Sequence, residues 1–395
     1  MSAADARATA AFVPMPATWY GWLLIGAYIY SLNLQGNVVS FLQDEFGLSY
    51  RAVALHSSAI AVGNIVIGLF GNHLIRRIGR RRTLWLSVAG FAACQILLCL
   101  ASAPWASIGS CFLIGVFGTM IPAVVPALLA DIHGEHRAEA YAGQSIAAYV
   151  FGLAAPLLTG FFVWQGLGWR AAVISGAVIC VAIGLWFRKT ALIETAPQTH
   201  FNSRRLPPAY WAYWVLLVAA CALEFCLLMW APTFLQQIVG FAPASAATAA
   251  AGFPLGMLLG RIANGRLVRR VPPQRLLVAA LALTFVGFLV YWGTNLPAVS
   301  VVGVFITGLG IAPLFPLVTT LAVGAALEAK DLASVRFAIA FGVSLLLAPI
   351  ALGALADEAG LVLAHLALPA LIVVAYASFF IATALQKRSA IVPAA

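Results

Sequence analysis

Charge is what this sequence has least of. Asp and Glu together number twelve in 395 residues, and all charged types make up 9%, against about a quarter in ordinary soluble domains. With 63% hydrophobic residues and a mean hydropathy of +1.00, the chain carries more apolar surface than a soluble core can hide, which excludes a soluble enzyme. Period-two alternation is missing, and with it a transmembrane β-barrel. No His-Glu-x-x-His motif, Ser–His pair or membrane Asp pair is visible, so an intramembrane enzyme lacks its second catalytic group. No repeated filter loop or selectivity ring points to a channel. The six cysteines, Cys94, Cys99, Cys111, Cys180, Cys221 and Cys226, lie in apolar runs without paired metal spacing and read as packing residues.

What is present is a succession of apolar runs. A hydrocarbon layer about 30 Å thick needs roughly 20 apolar residues per helical crossing. Such runs fall at 19–41, 52–74, 84–103, 107–130, 141–164 and 170–188, then at 210–235, 244–266, 275–293, 298–323, 336–356 and 362–386. Inside lipid every backbone polar group must bond within its own element, so these runs read as helices. The expected fold class is an all-α membrane protein whose twelve transmembrane helices form two pseudo-symmetric six-helix bundles, 1–188 and 210–395, joined by a polar linker, 189–209, rich in Pro and charge.

The formal charge of +10 raises the question of nucleic acid, and the placement of the 22 basic residues answers it. With both termini on one side, only Arg51 and Arg170 fall on the other. That asymmetry is the positive-inside rule, so both termini are expected in the cytoplasm of a bacterial inner membrane. The basic residues then orient the chain and meet anionic lipid; no nucleic-acid partner is expected. Most of the eleven tryptophans, among them Trp19, Trp105, Trp164, Trp186 and Trp292, fall near predicted helix ends, where an amphipathic ring belongs. The apolar run behind residue 18 is too long for a signal peptide, so the first helix is expected to remain uncleaved.

The chain also repeats itself. Displacing it by 193 residues, the offset of Phe234 from Phe41, carries Phe41-Leu42-Gln43 onto Phe234-Leu235-Gln236, Gly63 onto Gly256, Arg76-Arg77 onto Arg269-Arg270, and Ala155-Pro156 onto Ala348-Pro349. A six-helix unit repeated in one orientation is a plan of secondary transporters, with the solute site near the midplane between the halves.

Several stretches resemble the major facilitator superfamily: Asn72-His73-Leu74-Ile75-Arg76-Arg77-Ile78-Gly79-Arg80-Arg81-Arg82 and its repeat Gly265 to Pro272, Gly152 to Gly160 with Pro156, Gly168-Trp169-Arg170, and Pro349 with Gly353. The resemblance implies that fold, a carrier function and a cytoplasmic gate around the loop between helices 2 and 3, drawing on Arg76, Arg77, Gly79, Arg80, Asp131, Arg269 and Arg270. Where the family's loop usually has Asp, this chain has Arg76 and Arg269. These arginines can cap helix C-termini or meet Asp131, Glu328 or Asp331.

Eleven of the twelve acids lie in loops, tails or helix ends; Glu224 alone lies deep in a span, about 21 Å along the seventh. A carboxylate there costs several kcal/mol unless it is protonated, paired or facing a wet cavity; Glu224 either carries a proton from one side to the other, pairs with a cationic group of the solute, or is a buried acid hydrogen-bonded to its neighbours. Tyr30, Asn33 and Asn37 follow i, i+3, i+7 spacing on the first span, the symmetry mate of the seventh. Either they bind solute or they tie the first helix to a neighbour. Asn64, Gln144, Ser145 and Tyr149 have the same two readings, and Ser344 is able to bond its own preceding turn. Arg261 has Gly68 at its repeat position; it either attracts an anionic group, pairs with Asp131 or Glu328, or snorkels. His133, Glu135 and His136 read as a solvated loop; no metal and no cofactor are expected. Gly118, Pro122 and Pro126 in the fourth span, with Gly308, Gly310, Pro313 and Pro316 in the tenth, place small residues and kinks at matching positions.

The sequence thus predicts a monomeric, proton-coupled secondary-active transporter working by alternating access. Its solute is either a polar, sugar-like metabolite taken up by symport or an amphipathic drug or siderophore-like compound expelled by antiport.

Overall fold

The structure, a computed structural model, describes residues 12–193, 206–326 and 330–391. Part of the linker, with Glu194, Arg204 and Arg205, lies outside them, as do Glu328 and the side chain of Asp331.

Among the described residues there is no strand, and helices follow one another with short connections. In order they are α1 (Pro16–Phe46), α2 (Tyr50–Ile78), α3 (Arg80–Leu100), α4 (Pro104–His133), α5 (Arg137–Trp164) and α6 (Gly168–Trp186). The second set is α7 (Pro208–Gln237), α8 (Pro243–Ala250 continued by Gly252–Leu267), α9 (Pro273–Trp292), α10 (Pro297–Ile311 and Leu314–Ala325), α11 (Lys330–Ala359) and α12 (a turn at Leu361–Ala364, then Ala367–Ile391). Six of these begin with Pro in the first turn, whose missing N–H and fixed φ suit that position.

Among the described residues eleven helices are long and apolar enough to cross a membrane. The one absent from that set is α1, because Asn33, Gln35 and Asn37 dilute its middle. It is nonetheless enclosed by protein over most of its length, as polar groups at membrane depth require.

Two sequence expectations need correction. The stretch 72–82 is not a loop: α2 runs through Ile78 and α3 starts at Arg80, leaving Gly79 as the whole connection. Its φ of 81° is open to glycine and strained for other residues, which is how one residue reverses the chain. The proline pairs also behave differently: α4 runs unbroken through Pro122 and Pro126, whereas α10 is interrupted at Ala312–Pro313.

Helices α1–α6 pack mainly on one another and α7–α12 do likewise; the sets meet where α2 lies on α11, α5 on α8 and α1 on α7. The first two pairings exchange under a two-fold relation that carries α2 onto α8 and α11 onto α5, as a parallel repeat demands. The backbones approach closely at Gly36 of α1, where a Cβ would collide with the Leu228 carbonyl oxygen of α7.

Candidate functional site

One end of the interface between the sets is sealed. There Asp357 of α11 accepts hydrogen bonds from the Tyr50 and Arg51 N–H groups of α2, and the Tyr50 hydroxyl donates to Gln237 at 2.6 Å. A Cβ on Gly353 would lie 2.7 Å from the Tyr50 carbonyl, and one on Gly160 of α5 would strike Thr248 of α8. Deeper, the Ser57 hydroxyl reaches the Met229 sulfur, Ser58 donates to the Leu346 carbonyl at 2.9 Å, and Gly342 approaches Ile65.

Beyond those contacts lies the charged centre. The Arg261 guanidinium of α8 sits over the Tyr149 ring of α5, 4.9 Å from its centroid, a cation–π contact from one set to the other. Glu224, in the middle of α7, is near enough for its charge to act on Arg261, Tyr149 and Cys221. No ion pair within 4.0 Å joins Glu224 to Arg261, and among the described residues neither side chain makes a hydrogen bond. Both keep part of their surface accessible. The Arg261 Nε and the Asn264 Oδ1, one turn apart on one face of α8, are buried without partners, and so is the Gln144 Oε1 of α5. A buried polar atom left unpaired costs about 1–3 kcal/mol.

One turn from Glu224 toward the sealed end, Asn33 and Asn37 line a small cleft with Pro156, Leu228 and Phe253. Each amide nitrogen donates to the carbonyl one turn back, and the Asn37 Oδ1 is buried and unpartnered. Tyr30 does not join them. It is fully buried, and its hydroxyl bonds the Ala172 carbonyl at 3.2 Å and Ser175 at 2.8 Å, both on α6. The shared stripe meets different neighbours at different heights, and a phenol is long enough to reach α6. Asn64 is also taken up within its own set: its amide reaches Thr119 and, turned to satisfy its neighbours, the Gly115 and Ile60 carbonyls.

A family model described as Major Facilitator Superfamily matches residues 21–326 and 214–393. The chain belongs to the major facilitator superfamily. Among relatives, it is 28% identical over 183 residues to the ascochitine biosynthesis cluster MFS transporter of Didymella fabae, covering 45% of this chain and 34% of that one. It is 27% identical over 255 residues to the voltage-gated purine nucleotide uniporter of Homo sapiens, covering 57% of each. The chain thus spans about a third and somewhat over half of those two relatives' length. Among solved structures, a bacterial homolog of the human lysosomal transporter Spinster, inward-facing and unoccupied, matches with a TM-score of 0.74 at 15% identity, over 96% of this chain and 98% of that one. That likeness shows the superfamily fold.

The superfamily's signature region is placed as follows. Arg76 and Arg77 occupy the last turn of α2, where cations favour the helix dipole. They and Arg269 and Arg270 are exposed, and among the described residues no hydrogen bond or ion pair links them to the opposite set. It is Arg80 that meets Asp131, at 2.7 Å, while also donating to the Ile193 carbonyl at 3.0 Å. Asp131 is therefore engaged within the first set and does not pair with Arg261. Arg170 reaches Glu45 and the Cys99 carbonyl, tying α6 to the end of α1. His133 bonds Thr18 at 2.7 Å and packs on Phe12.

Sequence reasoning missed Asn264. The signal was available in its spacing of three from Arg261, which places both on one helical face. It also missed Asp357, which reads as an ordinary loop acid until α2 is brought against it.

Proposed function

We propose that this protein is a secondary-active transporter of a small organic solute, working by alternating access, with Glu224 carrying a coupled proton. The observation that carries the reading is the Glu224–Arg261–Tyr149 centre: ionisable groups from both halves, without hydrogen bonds among the described residues, at the middle of an interface sealed on one side. Buried ionisable residues at membrane depth are expensive and sit on solute or proton paths. In this reading 1–188 and 210–395 are bundles that rock about the midplane, with 189–209 as their tether, and the sealed end faces away from the cytoplasm. Both termini then lie in the cytoplasm of a bacterial inner membrane, and the carrier is inward-open and monomeric. Closing the cytoplasmic end would bring the arginine ends of α2 and α8, with Arg76, Arg77, Gly79, Arg80, Asp131, Arg269 and Arg270, toward the opposite half.

Symport of a polar metabolite is the first reading, because Asn33, Asn37, Gln144 and Asn264 offer amides to hydroxyl-rich solutes. Antiport efflux of an amphipathic compound is the second. It is favoured by the apolar walls of the cleft beside Asn37, and by a relative whose name places it in a biosynthesis cluster.

The test is uptake into proteoliposomes under an imposed proton gradient, screening sugars, organic acids and cationic dyes, with Glu224→Gln alongside wild type. Gradient-driven flux that is lost in the variant, while solute exchange persists, is the expected result. A variant that still concentrates solute against the gradient would remove Glu224 from coupling.

A further inference from the structure

The chemistry of Arg261 points beyond a transporter of unspecified solute. A guanidinium presents five N–H donors and no acceptor. In a half-buried position these normally find carboxylates or carbonyls, because leaving them unmatched is costly. Here no hydrogen bond to Arg261 is formed among the described residues, and its Nε is buried and unpartnered. Of the two acids the sequence offered as its partners, Asp131 is engaged by Arg80 at 2.7 Å, and Glu328 lies outside the described residues. Glu224 acts on it electrostatically but stands outside ion-pair distance. What lies against the guanidinium is the Tyr149 ring, its centroid 4.9 Å from the Arg261 Cζ.

A guanidinium over an aromatic ring, without a hydrogen-bond partner among the described residues, suits a planar bidentate anion. Its neighbour specifies more of the ligand. The orphaned atom of Asn264, one turn from Arg261, is a carbonyl oxygen, which asks for a hydroxyl or N–H donor. A single arginine matches one negative charge. With Glu224 ionised, a bound monoanion would leave the centre at net −1, and a proton on Glu224 returns it to zero.

We infer that the solute is an organic monoanion: one carboxylate-like group seated on Arg261 beside Tyr149, on a body carrying a hydroxyl or N–H donor for Asn264. The inference rests on the transporter reading for its claim that the ligand crosses the membrane, but binding at Arg261 is testable without it.

The experiment is thermal unfolding of the purified, detergent-solubilised full chain. It is titrated with monocarboxylates (lactate, gluconate, phenyllactate and N-acetylglycine) and, as controls, with the uncharged amides of the same acids. The expected result is that at least one acid raises the unfolding temperature in a saturable manner while its amide does not. Arg261→Gln should weaken that response about tenfold or more, the usual effect of deleting a charged hydrogen-bond partner. Arg261→Lys, which keeps the charge and loses the fork, should retain part of it. Without ligand, both variants must unfold cooperatively near the wild-type temperature; Tyr149→Ala provides a second route to the same site if Arg261→Gln does not fold. Stabilisation by the amides equal to that by the acids, no response to any acid, or a response indifferent to Arg261→Gln and Tyr149→Ala would overturn the inference. Carboxylate binding without flux in proteoliposomes would instead sink the transporter reading and leave this one standing. Flux of a neutral solute unaffected by Arg261→Gln would do the reverse.

Discussion

Asp357, at the end of α11, accepts the N–H groups of Tyr50 at 2.7 Å and Arg51 at 2.9 Å, capping α2 from the opposite half. A carboxylate at a helix N-terminus satisfies donors the helix cannot and meets the positive end of its dipole. Here that capping bond exists only while the two halves are closed at this end.

Asp357→Ala should therefore weaken the closed end by about 0.5–2 kcal/mol, shifting the equilibrium toward opening there by roughly 2- to 30-fold. Spin-label distance distributions across that end would show a larger open population. Distributions identical to wild type would mean that the cap is incidental to the seal.

Gly36 and Gly68 give a contrast of sign. Alanine usually stabilises a helix interior by about 0.5–1 kcal/mol over glycine, and Gly68 has nothing within 4 Å of a new Cβ. At Gly36 the Cβ would meet the Leu228 carbonyl oxygen, a backbone atom that cannot swing aside. Gly68→Ala should leave the unfolding temperature unchanged or raised, whereas Gly36→Ala should lower it, by a cost of about 1–3 kcal/mol. Equal shifts for the two would contradict the close approach of α1 and α7.

The arginines of the α2–α3 junction should not be equivalent. The Arg80 side chain is 5% exposed and bonds both Asp131 and the Ile193 carbonyl, while Arg76 is exposed. Arg80→Gln should destabilise the first half by about 1–3 kcal/mol, discounted toward the lower figure because Asp131 is 33% exposed. Arg76→Gln should stay within about 0.5 kcal/mol. Thermal unfolding in detergent compares them directly, and a larger loss at Arg76 would reverse the assignment.

At Tyr149 the ring and the hydroxyl can be separated. Tyr149→Phe keeps a face for the Arg261 guanidinium and should hold apparent solute affinity within about twofold. Tyr149→Ala removes a contact worth about 0.5–2 kcal/mol and should weaken it roughly 2- to 30-fold. If Phe proves as poor as Ala, the hydroxyl and not the ring is the working part.

The twelve spans were readable in the chain because hydropathy is a local property: a helix in lipid must be apolar over a fixed length, whatever it packs against. Even the exception was informative, since α1 is diluted by Asn33, Gln35 and Asn37, and a span so polar has to be covered by protein. The 193-residue register likewise announced two related halves before any contact was known. Local reasoning stopped where partners come from elsewhere. Tyr30 and Asn37 share a stripe in the sequence, yet α6 claims one and the interface with α7 and α8 leaves the Oδ1 of the other without a partner. Arg80, and not Arg76, met Asp131 because a one-residue turn at Gly79 redirected the chain. The placing of Arg261 over Tyr149, within electrostatic reach of Glu224, was decided by tertiary structure alone. The reason is that a charge at membrane depth selects its neighbours by the packing of α5, α7 and α8 against one another, and no spacing along a single helix encodes that.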